Sequence, residues 1–107
     1  IRTISGAQSY AWGKKGLNSS VGVLLSSADD KFEIDNDSPY AELWMGTHKK
    51  CPSMVRQGAG NILLSDWLKL PENKTVVGRV PSGYERDNLP FLFKVLSIQK
   101  GLSIQAH

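Results

Sequence analysis

Apolar and polar residues alternate strictly in "LSIQAH" (102–107), with Leu102, Ile104 and Ala106 set against Ser103, Gln105 and His107. A period of two marks a strand with one apolar and one polar face. "PYAELWMG" (39–46) alternates in the same way, placing Tyr40, Glu42 and Trp44 on one face and Ala41, Leu43 and Met45 on the other. The pattern predicts a mixed α+β fold, in which the strands carry the most distinctive side chains.

The remaining segments fill in this outline. "TISGAQSYAWG" reads as a short strand, a glycine break and a second strand whose Tyr10 and Trp12 share a face. "LNSSVGVLLSSADD" has Val21, Leu24 and Leu25 at helical spacing, with Asn18 or Ser19 as cap, although Gly22 works against a helix. "DNDSP" is turn chemistry. "THKKCPS" is a loop, and "LLSDWLKL" is a short helix with Ser65 as N-cap, closed by Pro71. The stretch from Pro71 to Pro90 is mostly loop, with one small strand at "KTVVGRV". "FLFKVLSI" is an apolar strand joined to "LSIQAH" across a hairpin-like turn at Gln99-Lys100-Gly101.

A chain of 107 residues forms at most one domain, large enough for a core. Its 40% hydrophobic and 21% charged residues are ordinary for a globular protein. The net charge of +3 and the doublets Lys14-Lys15 and Lys49-Lys50 fall short of the basic runs that bind nucleic acid or a membrane surface, so neither partner is expected. Cys51 is the only cysteine, which excludes an internal disulfide and suits a reducing, cytoplasmic setting. No apolar run reaches the length of a membrane span, and the sequons at Asn18 and Asn73 would stay unmodified in such a setting. The chain opens on Ile1 rather than methionine, and both ends are expected to be trimmed.

Chemistry concentrates in a few positions. On a strand, Gln105 and His107 would point the same way about 6.5 to 7 Å apart along the chain, close enough to converge on one ion. Imidazole and neutral oxygen donors suit a borderline cation such as zinc, yet a Gln-x-His pair is more often plain surface polarity. Lys94 interrupts an apolar strand on the face of Leu92 and Leu96, so it either snorkels to water at a sheet edge or faces a cavity that holds an anion. Glu42, between Tyr40 and Trp44, either lies on a solvated face or binds hydroxyls or metal. His48, beside two lysines, reads as surface. The residues single out no general base.

Taken together, "YAWGKKG" (10–16), "PYAELWMGTH" (39–48), "LPFLFKVLSI" (89–98) and "LSIQAH" (102–107) resemble, in order and spacing, the type I mannose-6-phosphate isomerases, also called phosphomannose isomerases. The resemblance spans nearly the whole chain and is weakest from Cys51 to Asn88. It implies a mainly β fold with short helices, the N-terminal part of a cupin (β-jelly-roll) domain. It also implies a zinc-dependent enzyme that interconverts mannose 6-phosphate and fructose 6-phosphate and supplies mannose for GDP-mannose and glycan synthesis. By the same resemblance Gln105 and His107 are two of four protein ligands to zinc, Ser103 lies near the substrate, and Trp12, Glu42 and Lys94 line the active site.

Members of that family run to several hundred residues. The resemblance therefore implies that residues 1–107 are an N-terminal portion ending within the metal motif, with a glutamate and a second histidine expected downstream of His107. The proline that usually follows "QAH", the family's substrate-binding arginine and much of the jelly roll are absent from this sequence. The implied partners are a small-molecule sugar phosphate and the rest of the same polypeptide, and the isolated chain is expected to be inactive. Two other readings compete: a non-catalytic sugar- or metal-binding cupin module, and a basic interaction module built on the lysine doublets.

Overall fold

The computed structural model describes residues 1–106. In chain order the elements are β1 (Thr3–Ile4), β2 (Gly6–Gln8), α1 (Ser20–Ala28), β3 (Glu42–Met45), β4 (Met54–Gln57), β5 (Gly60–Leu63), α2 (Leu64–Lys69) and β6 (Phe93–Leu96), with single 3-10 turns at Gly16–Asn18 and Pro71–Asn73. Six strands and two short helices match the mainly β expectation. The strands form two three-stranded sheets of order β1-β4-β5 and β2-β3-β6. The chain divides into two compact units, residues 1–6 with 44–94 and residues 7–43 with 95–106.

In the first unit, β4 pairs antiparallel with both β1 and β5, in a register that sets Val55 opposite Thr3 and Ile62. The β4–β5 hairpin closes from Gln57 to Gly60 over Gly58-Ala59. Gly58 has φ of 54°, whereas no non-glycine residue among those described has positive φ, which is the sign pattern of a type II′ turn. Val55, Trp67 and Leu68 are the buried centre of this unit, packed by Ile62, Leu64, Leu70, Val77 and Leu89. Thr47 ties the loop before β6 in place: its hydroxyl donates to Asn88 Oδ1 at 2.8 Å and accepts from the Leu89 N–H at 2.9 Å.

The second unit is organised around Ser19, which is fully buried. Its hydroxyl accepts from the Gly22 N–H, capping α1, and donates to the Tyr40 carbonyl at 2.7 Å. Val21 and Leu25 are buried while Leu24 is largely exposed, so the helix presents a narrower apolar stripe than its spacing suggested. Gly22 is also buried, and a side chain there would meet the Gly16 carbonyl oxygen and the Tyr40 ring. The residue that weakened the helix prediction is therefore required by close packing. Backbone bonds from Ala41 N–H to Gln8 O and from Ser97 N–H to Ala41 O carry the strand pairing through this unit.

Several expectations are corrected. Residues 102–106 form no strand, and Leu102 and Ile104 are exposed. A strand exists only through its ladder partners, and no described strand lies beside this segment. Alternation alone does not create one. "KTVVGRV" is turn and loop, because Arg86 Nη1 donates at 3.0 Å to the Lys74 and Gly78 carbonyls that a ladder would need. β2 ends before Tyr10, and the chain turns at Ala11-Trp12 with the Gly13 N–H bonded to Tyr10 O. Ser65 is inside α2 rather than at its cap. β5 runs directly into the helix, and the Leu64 N–H is satisfied by the Ser53 carbonyl at 2.9 Å. The β4–β5 hairpin falls where the sequence pattern suggested no element.

Candidate functional site

Each unit carries part of the set singled out from sequence. In the first, Trp44 sits on β3 and Lys94 on the neighbouring strand β6. Trp44 is only 6% exposed, whereas Lys94 is exposed and places its ammonium 4.6 Å from the Trp44 ring centroid. That is the geometry of a cation–π contact. β6 is an edge strand of its sheet among the described residues, and the indole supports the Lys94 ammonium there.

The same indole has other basic neighbours. Lys50 Nζ lies 5.6 Å from its centroid, and the His48 ring meets it edge-on at 5.0 Å. His48 is exposed, as expected. Its Nδ1 accepts the Lys50 N–H at 3.2 Å, which leaves the neutral ring's proton on Nε2. Sequence reasoning gave Trp44 no role beyond its place on a face. The signal available was Lys94 itself, a cation in an apolar strand that needs a partner on the adjacent strand.

In the second unit, Trp12 is half-buried and stacks on Tyr10, with centroids 5.6 Å apart and ring planes inclined by 16°. The two rings share a side, as i and i+2 residues were expected to, but at a turn. The Trp12 carbonyl accepts both the Gln99 and Lys100 N–H groups at 2.8 and 3.1 Å, which fixes the approach to residues 102–106. Glu42 is 8% exposed, so the solvated-face alternative is excluded; it is a buried carboxylate with an interior interaction.

Ser103 and Gln105 are brought together. Gln105 Nε2 donates to Ser103 Oγ at 3.4 Å. An exposed amide oxygen fits the oxygen-donor part of a zinc or similar site. His107 lies outside the described residues. Among those described, no group of three or more histidine, cysteine, aspartate or glutamate side chains is placed to hold a metal ion.

Comparison with known proteins gives these residues a context. The family described as "Phosphomannose isomerase type I, catalytic domain" matches residues 1–107. A mannose-6-phosphate isomerase of Eremothecium gossypii is 49% identical over the whole chain, which covers 25% of that relative. The human mannose-6-phosphate isomerase is 48% identical over 94% of the chain and 23% of its own length. The chain thus spans about a quarter of the length of the relatives it matches. Among solved structures, a Salmonella typhimurium mannose 6-phosphate isomerase described as bound to substrate (f6p) and a zinc atom superposes with a TM-score of 0.61 at 32% identity, over 94% of this chain and 23% of that one. The H99Q mutant of the Salmonella typhimurium phosphomannose isomerase gives a TM-score of 0.63 at 30% identity, with 94% and 24% covered. These neighbours are of the cupin fold, and the mainly antiparallel strands with few short helices agree with that class. The chain belongs to the type I phosphomannose isomerase family, within its catalytic domain.

Proposed function

We propose that residues 1–107 are the N-terminal portion of a zinc-dependent isomerase that interconverts mannose 6-phosphate and fructose 6-phosphate and so supplies mannose for GDP-mannose and glycan synthesis. The observation that carries this reading is the family match over the whole chain. A relative bound to fructose 6-phosphate and zinc supports the substrate and the metal. A single, free, half-buried Cys51 fits a cytoplasmic setting.

The reaction needs no external oxidant. A proton leaves C2 of the aldose and one arrives at C1, while the O2 hydroxyl gives up its proton and O1 gains one, so that the carbonyl passes from C1 to C2. Zinc, when bound, would polarise the sugar's carbonyl and hydroxyl oxygens. On this reading Gln105, through its amide oxygen, and His107 hold the metal, and Ser103 orients Gln105 and lies beside the substrate. Lys94 offers its ammonium to an anionic or hydroxyl-rich ligand. Trp12 supplies an apolar wall, and Glu42, a buried carboxylate, accepts from sugar hydroxyls.

A zinc titration and an isomerase assay test the proposal on two proteins: the isolated 107-residue chain and the full-length polypeptide that carries it. Two ligands are half of a four-ligand site, and complete structural sites bind with about 10 kcal/mol or more. The isolated chain is therefore expected to bind zinc weakly and to turn over nothing, while the longer polypeptide does both. Full-rate turnover by the isolated chain would refute the fragment reading. Tight zinc and sugar-phosphate binding by the longer polypeptide without turnover would favour a non-catalytic binding module.

A further inference from the structure

Lys94 has a long flexible stem, and an ammonium on such a stem is a poor anchor for a substrate unless something fixes it. The surface it meets is rigid. Trp44 is buried in β3, and β6, which carries Lys94, is the next strand of the same sheet. The Lys94 ammonium stands 4.6 Å from the indole centroid, within the range in which the ring quadrupole attracts a cation, most strongly for tryptophan. Lys50 approaches the same ring at the longer distance of 5.6 Å, and His48 packs edge-on against it. A hydrogen bond donated by the Lys50 backbone N–H to His48 Nδ1 ties the short turn that holds both. An aliphatic residue at position 44 would fill the same interior but lack the ring quadrupole that attracts the ammonium.

We propose that Trp44 is a positioning residue: its indole fixes the Lys94 ammonium in the orientation from which it meets the anionic sugar phosphate. This inference rests on the isomerase reading. It assigns Trp44 a role that acts through Lys94 and is separate from its contribution to packing.

The test replaces Trp44 with tryptophans bearing increasing numbers of fluorine atoms, in the full-length, zinc-loaded polypeptide carrying this segment. Fluorine withdraws electron density from the ring while nearly preserving its shape, so packing and quadrupole separate. The KM for mannose 6-phosphate is expected to climb stepwise by about tenfold across the series, in proportion to the weakened cation–π contact, with kcat and melting temperature unchanged. In a Lys94→Met background the same series is expected to be flat. A second readout is the NMR signal of dimethylated Lys94, expected to be ring-current-shifted in the parent and unshifted in Trp44→Leu. Turnover with a KM that ignores fluorination would overturn the positioning role alone. A shifted Lys94 signal without any turnover would overturn the isomerase reading, and this role with it.

Discussion

The side-chain amide of Gln105 donates to the Ser103 hydroxyl across 3.4 Å, two residues apart on an exposed segment. On the proposed reading Gln105 is a zinc ligand, and Ser103 is the outer partner that orients it. Losing the outer partner of a metal ligand typically costs about 10- to 100-fold in affinity. Ser103→Ala is therefore expected to weaken zinc binding about tenfold in the full-length polypeptide, and Gln105→Leu by at least about a hundredfold. Competitive titration against a chromophoric chelator measures both. Equal affinity in Gln105→Leu and the parent would remove Gln105 from the ligand set.

Gly22→Ala tests the packing of α1. Alanine is the better helix former by about 1 kcal/mol, so propensity alone predicts a more stable protein. The added methyl would stand 2.9 Å from the Gly16 carbonyl oxygen and 3.2 Å from the Tyr40 ring. Neither can withdraw easily. Tyr40 is held by the Asp35 N–H on its hydroxyl at 2.9 Å and by edge contact with Phe32. The expected result is a net destabilisation of about 1 to 2 kcal/mol by chemical denaturation. A more stable variant would contradict the packing described.

The turn at Asp35 makes a pH prediction. The Ser38 hydroxyl at 2.6 Å holds the Asp35 carboxyl below its ordinary value of 3.8, helped by the Asp37 N–H at 2.9 Å and the charge of Lys15. A depressed carboxylate stabilises the folded state above its unfolded value, and the contribution disappears as pH falls through the lower folded value. Ser38→Ala is expected to move the Asp35 titration, followed by NMR, up toward 3.8. An unchanged midpoint would show that the Ser38 bond is not the main cause.

How far the fold was legible depended on where each signal lived. The alternation in "PYAELWMG" gave β3, because its ladder partners lie within the described chain. The identical alternation in "LSIQAH" failed as a strand, because residues 102–106 have no described strand beside them. Ser19 was a readable cap because the signal is local, whereas the start of α2 is satisfied by the carbonyl of Ser53, eleven residues upstream of Leu64. The hairpin turn at Gly58-Ala59 offered a glycine-first signal that went unread among polar neighbours. At the site, Lys94 was recognisable as misplaced in an apolar strand, while its partner Trp44 could be found only by pairing β6 with β3.

The central claim is that these residues form the N-terminal part of an isomerase, and a chimaera tests it most directly. Residues 1–107 replace the matching segment of the Eremothecium gossypii relative, which is 49% identical over that length. Zinc-dependent conversion of mannose 6-phosphate to fructose 6-phosphate is then measured beside the parent relative. The account predicts turnover within about tenfold of the parent, falling by about a hundredfold or more in Gln105→Leu and His107→Ala. A chimaera that folds and binds zinc as tightly as the parent but shows no turnover would contradict the account.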